Sequence, residues 1–94
     1  MVAETLGVAD VTVADLKRAQ SAVMAGGPWR ESPQARGWAG EPIAAALGIT
    51  LDKRGKATVK ALLAMWIGTG MFEVYEADDA SRRPRMFVRV GALA

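Results

Sequence analysis

The sequence predicts a single α+β domain in which three helices precede a C-terminal β-hairpin. Two observations lead to this prediction. Apolar residues recur at helical spacing as far as Ile67, and from Met71 onward they alternate with polar residues, as in a half-buried strand. The chain of 94 residues also has room for only one hydrophobic core. We therefore expect one domain over residues 12–94, with residues 1–11 forming a leader or the remnant of a preceding segment.

The first helix is predicted over residues 13–25. Thr12 suits the N-cap position, and Asp15 stands in the first turn, where a negative charge interacts favourably with the helix dipole. The run Gly26–Pro28 ends the helix, because two glycines and a proline cannot easily continue it.

Residues 28–40 are predicted to form a loop, since prolines and glycines interrupt the whole stretch. Trp29 and Trp38 lie in this loop. Exposing two large indole rings would be costly, so we expect both to fold back onto the core as anchors instead of serving as platforms for base stacking.

A short second helix is predicted over about 41–47, with Pro42 in its first turn and Gly48 at its end. A third helix begins after Asp52, which is a good N-cap residue. Its apolar positions have the strongest helical period in the chain: Val59, Leu62, Leu63, Trp66 and Ile67. We expect this stripe, including its tryptophan, to belong to the core.

The predicted hairpin has strands at about 71–77 and 85–91, joined by turn-forming residues over 78–81. Pro84 cannot donate a hydrogen bond to a strand ladder, so it marks the start of the second strand or an edge. Three helices followed by a hairpin is the order of a winged helix-turn-helix, which is the fold that we predict.

Composition excludes several kinds of chemistry. The chain has no cysteine and no histidine, so it lacks disulfides, Cys nucleophiles, His general bases and zinc sites built on these residues. We expect no enzymatic activity and no cofactor. No apolar stretch reaches the roughly 18 residues of a membrane span, and no signal peptide is evident, so we expect a cytoplasmic protein.

Charge is distributed unevenly along the chain. Residues 1–52 carry four basic and six acidic side chains, a net charge of −2, whereas residues 53–94 carry eight basic and four acidic ones, a net charge of +4. A helix with one apolar face and one basic face, followed by a basic hairpin, favours docking on duplex DNA. The candidate DNA-binding residues are Lys53, Arg54, Lys56, Thr58 and Lys60 on the third helix and Arg82, Arg83 and Arg85 on the hairpin.

Each basic group alone also has a structural interpretation. The lysines can form an ordinary solvated helix face, and the arginines can protect an exposed strand from pairing with other chains. Asp78 and Asp79 stand close enough to the arginines to pair with them. The alternative function is therefore a protein-interaction or oligomerisation module without DNA binding, which the small net charge of +2 favours.

The chain also resembles a known family in several stretches. These are Trp38–Gly40, Ile43–Gly48, Val59–Leu63, Trp66-Ile67, Gly70, Arg82–Arg85 and Phe87-Val88. Together they resemble the C-terminal winged-helix module of RepA-like AAA-family ATPases and related replication proteins of proteobacterial phages and mobile elements. The resemblance implies a DNA-contacting accessory domain of a larger replication- or phage-related protein, with an upstream ATPase domain or a second copy of the chain as further partners.

Overall fold

The computed structural model describes residues 11–94, which form three helices and one three-stranded antiparallel sheet. The elements follow in the order α1 (Val13–Met24), β1 (Trp29–Arg30), α2 (Gly40–Leu47), α3 (Lys53–Gly68), β2 (Phe72–Asp78) and β3 (Pro84–Val90). The prediction of a small α+β domain with a C-terminal hairpin is thus confirmed. None of the helices over these residues is long and apolar enough to cross a membrane.

The ends of the helices follow the predicted capping residues. Thr12 caps α1: its hydroxyl accepts a hydrogen bond from the Asp15 amide at 3.1 Å, and the Asp15 carboxylate accepts one from the Thr12 amide at 3.1 Å. Gly48 ends α2 in the left-handed conformation, with φ of 69°. The leader expected over 1–11 lies outside the described residues except for Val11, which packs against the core.

The expectation of a loop over residues 28–40 is wrong at Trp29 and Arg30. These two residues form β1, which pairs antiparallel with β3, so that Trp29 stands opposite Val88 and Arg30 opposite Phe87. The sheet order is therefore β1-β3-β2, with β3 in the centre. A two-residue strand has no periodic pattern, and its pairing partner is distant in sequence, so local sequence reasoning could not detect it.

The core lies between the helices and one face of the sheet. Its largest fully buried side chains are Phe72, Ile43, Leu62, Val59 and Val88. Trp66 and Trp38 are each only 3% exposed, and the Trp66 ring packs against the Phe72 ring. Trp29 is half-buried, and its Nε1 donates to the Val23 carbonyl at 2.9 Å. The prediction that the loop tryptophans are anchors is confirmed.

Gln20 connects α1 to the two chain segments at the open end of the hairpin. Its side-chain amide donates to the Met71 carbonyl and the Ala92 carbonyl, each at 2.9 Å, and its Oε1 accepts from the Ala94 amide at 3.0 Å. Because Gln20 is only 2% exposed, these bonds satisfy a buried amide that would otherwise be costly.

Candidate nucleic-acid interface

The basic helix α3 is fixed at its N-terminus by one side chain and one glycine. The Asp52 carboxylate accepts a hydrogen bond from the Gly55 amide at 2.8 Å, as predicted for the N-cap. Gly55 is buried against the turn between α2 and α3. A Cβ added to it would overlap the Thr50 carbonyl oxygen in that turn. Only glycine allows this close approach, so Gly55 sets how α3 sits against the turn.

Sequence reasoning did not single out Gly55. The available signal was a glycine in the first turn of an otherwise strongly predicted helix, where its low helix propensity suggests a packing reason.

One side of α3 is buried and the other is free. The buried residues of the helix are Gly55, Val59, Leu62, Leu63 and Trp66. Lys53, Arg54 and Lys60 are exposed on its first two turns, as predicted. Alanines such as Ala57 and Ala61 lie between these cations on the exposed side, so the side chains between the charged ones are small.

Two of the predicted residues on α3 also make contacts within the domain. Lys56 is half-buried, and its ammonium lies 5.9 Å from the centroid of the Trp38 ring, a cation–π contact. The Thr58 hydroxyl donates to the Arg54 carbonyl at 3.2 Å and is half-buried, so its proton is used inside the helix. We name Lys53, Arg54, Lys56 and Lys60 the helix cluster.

The tip of the hairpin is organised by Asp79. Its Oδ1 accepts from the amides of Ser81 at 2.8 Å and Arg83 at 3.0 Å, and its Oδ2 accepts from Arg85 Nε at 3.2 Å. These bonds, first of all the one from the Arg83 amide, hold the pKa of the Asp79 carboxyl below its usual value. Asp79 therefore both shapes the turn and neutralises Arg85.

Arg82 and Arg83 are the exposed cations at this tip, and we name them the tip cluster. Arg82 adopts the left-handed conformation, with φ of 64°, and its amide donates to the Asp79 carbonyl at 2.9 Å. The three predicted hairpin arginines thus divide into two free side chains and one, Arg85, that is paired with a carboxylate.

The helix cluster and the tip cluster share one electrostatic property. Within residues 11–94, ion pairs join Arg18 to Asp15, Arg85 to Asp79 and Arg89 to Glu73. None of them involves the helix cluster or the tip cluster. Six basic side chains therefore form no ion pair with the acidic side chains that the structure describes.

A further set of arginines, missed by sequence reasoning, lies on the outer face of the sheet. The Arg30 guanidinium lies 5.8 Å from the centroid of the Phe87 ring, which stacks with Tyr75 at 5.7 Å between centroids. Arg89 lies 4.6 Å from the Tyr75 centroid and contacts Glu73 at 2.7 Å. These arginines cover the aromatic rings, so the outer face presents no free stacking surface, although the buried Arg30 Nε has no hydrogen-bond partner within residues 11–94.

A small cleft of about 150 Å³ lies beside α3. Trp38, Leu63 and Ile67 form its apolar wall, and Glu31 and Lys60 also line it. One member of the helix cluster thus borders an apolar surface.

Comparisons of the chain with protein-family models, with curated proteins and with solved structures found no match.

Proposed function

We propose that residues 12–94 form a winged helix-turn-helix that binds double-stranded DNA mainly through the phosphate backbone. The observation that carries the proposal is the set of six basic side chains, without acidic partners among residues 11–94, on α3 and the hairpin tip. Neutralising phosphates with such side chains releases counterions, which supplies most of the free energy of non-specific DNA binding.

The arrangement of elements supports this assignment. In a helix-turn-helix the second helix enters the major groove while the first crosses the backbone. Here α2 and α3 are joined by a short turn that Gly48 and Gly55 allow, and α3 keeps a basic, sterically open side. The hairpin that follows α3 would then act as the wing.

The chemistry of the side chains favours backbone contacts over base reading. The helix cluster contains three lysines, which act as point charges towards phosphate and lack the planar fork that reads guanine. Arg54, Arg82 and Arg83 have that fork, and two of them are at the hairpin tip, where phosphate or a minor groove would be within reach. The resemblance described above extends the proposal to an accessory role in a larger replication- or phage-related protein.

Fluorescence anisotropy with a labelled duplex of about 20 base pairs, at about 50 mM salt, tests the proposal. Arg54→Glu on α3 and Arg83→Glu on the hairpin tip should each weaken binding by at least roughly tenfold, because each removes a phosphate contact and adds a repulsive charge. Lys17→Glu is the matched control: Lys17 is exposed on α1, outside both clusters, and its reversal changes the net charge equally.

Equal losses for all three variants would mean that only net charge matters and would refute the assigned site. No binding by the unmodified domain would refute the DNA proposal altogether. The apolar cleft beside α3, lined by Trp38 and Ile67, would then favour the alternative function, a protein-interaction module.

A further inference from the structure

The open edge of the sheet is formed by β2, and its pattern of free backbone groups can be derived from the hairpin register. The Gly91 amide donates to the Met71 carbonyl at 3.0 Å, and the Asp79 amide donates to the Arg83 carbonyl at 2.9 Å. Hydrogen-bonded and non-hydrogen-bonded pairs alternate along an antiparallel ladder. The odd-numbered residues of β2 therefore bond to β3, and the even-numbered residues direct their amide and carbonyl groups away from it.

The outward-facing residues are Phe72, Val74, Glu76 and Asp78. No hydrogen bond within residues 11–94 reaches their amide or carbonyl groups from outside the hairpin. Phe72 is fully buried, so β2 offers three donors and three acceptors, those of Val74, Glu76 and Asp78, along a strand of seven residues.

The opposite side of the hairpin is closed to such pairing. Pro84 stands opposite Asp78 in a non-hydrogen-bonded pair, so its position on β3 faces away from β2 and lacks an amide donor. Further along the same side, β1 pairs with β3 and the Glu31 amide bonds to the Met86 carbonyl. A proline and a short strand therefore protect one side, whereas β2 has no such protection.

The edge is also acidic. Glu76 and Asp78 are exposed, lie on the same face of the sheet and form no ion pair with a basic side chain of residues 11–94. Glu73, on the other face, is paired with Arg89. Two free carboxylates at alternate positions are complementary to an added strand with basic residues at alternate positions.

We propose that the β2 edge binds an extended basic segment of a partner protein, which adds a fourth strand to the sheet. Main-chain hydrogen bonds to Val74, Glu76 and Asp78 would supply affinity, and the carboxylates of Glu76 and Asp78 would select basic side chains. Two other occupants fit the charges poorly. A second copy of β2 would bring like carboxylates to one edge, and residues 1–10 contain Glu4 and Asp10 but no lysine or arginine. The proposal is independent of DNA binding.

The test is an NMR titration of the ¹⁵N-labelled protein with a peptide of seven residues, the length of β2, in which lysine and valine alternate and both termini are blocked. The amide signals of Val74, Glu76 and Asp78 should shift more than those of Tyr75 and Ala77, which lie between them and bond to β3. A peptide with glutamate in place of lysine is the control and should not bind. Shifts without this alternation, or equal binding of both peptides, would overturn the proposal.

A pair of variants separates backbone pairing from charge. Glu76→Gln removes the carboxylate but keeps the amide donor, whereas Glu76→Pro removes both and leaves the β2–β3 ladder intact. The proline variant should bind the lysine peptide about 3- to 10-fold more weakly than the glutamine variant, as expected for one lost hydrogen bond. Equal affinities would contradict strand addition.

Two further measurements complete the test. If the proline variant does not fold, Asp78→Lys replaces it, and unchanged affinity for the lysine peptide would overturn the assigned edge. Sedimentation of the free protein should show no dimer. A dimer in which the edge amides are protected from hydrogen exchange would overturn the proposal, because the occupant of the edge would then be a second copy of the chain.

Discussion

Gln20 shows how one residue can link elements that are far apart in sequence. A glutamine in the middle of a predicted amphipathic helix looks like a surface residue, yet it is buried and bonds to the backbone on both chain segments at the open end of the hairpin. Its side-chain amide is a second donor to the Met71 carbonyl and a donor to the Ala92 carbonyl, and so it fixes the sheet against α1.

The substitution Gln20→Leu tests this role. Leucine has a similar size but leaves the Ala92 carbonyl and the Ala94 amide without their Gln20 partner, and the Met71 carbonyl keeps only its bond from the Gly91 amide. We expect a loss of about 1–3 kcal/mol in the free energy of unfolding, because buried polar groups left unpaired are costly. Urea denaturation measures the loss. Ser21→Ala, an exposed neighbour on α1, is the control and should stay within about 0.5 kcal/mol. An equally small effect for Gln20→Leu would show that these bonds contribute little.

At the scale of elements, the hairpin tip depends on the ionised form of Asp79. Its folded-state pKa is lowered, chiefly by the hydrogen bond from the Arg83 amide. A carboxyl group whose pKa is lowered in the folded state stabilises the folded hairpin fully when the pH is above its unfolded-state pKa. This contribution is lost as the pH falls through the lowered folded-state pKa.

We therefore expect the amide signals of Ser81 and Arg83 to titrate together at a pH below the usual aspartate value of 3.8. An NMR pH titration measures this midpoint. Asp79→Asn should abolish the shared transition, since the amide side chain does not ionise. A midpoint at or above 3.8 in the unmodified protein would contradict the proposed organisation of the turn.

Several features of the helices and strands are determined by residues close to them in sequence. The caps at Thr12 and Asp52, the stop at Gly48 and the period change before β2 lie within a few residues of what they control, so they could be predicted. The strand β1 could not be predicted, because it exists only through pairing with β3.

The same distinction applies to the candidate site. The helix cluster could be found from its spacing on α3, since residues three and four apart share one side of a helix. The ion pair between Arg85 and Asp79 could not be predicted. Asp78 and Asp79 were both possible partners of the arginines, and only the folded turn brings Asp79 to Arg85. The contact between Lys56 and Trp38 also depends on tertiary packing.

At the scale of the whole molecule, two sets of like charges lie on different elements. Six cations without an ion pair within residues 11–94 lie on α3 and the hairpin tip, and two carboxylates without one, those of Glu76 and Asp78, lie on β2. Phosphates would be attracted to the first set and repelled by the second. The two proposed partners, DNA and a basic protein segment, would therefore bind at different surfaces, and each proposal is testable separately.

The salt dependence of DNA binding is the whole-molecule measurement that follows from this charge distribution. If about four of the six free cations contact phosphates, the slope of log K against log salt should be roughly −3.5 between about 50 and 200 mM. Removing one contact, as in Lys60→Gln, should make the slope shallower by about 0.9, whereas Lys17→Gln should leave it unchanged. Anisotropy titrations at several salt concentrations measure both slopes. A slope near zero despite measurable binding would contradict backbone docking, because counterion release would then contribute nothing to the affinity.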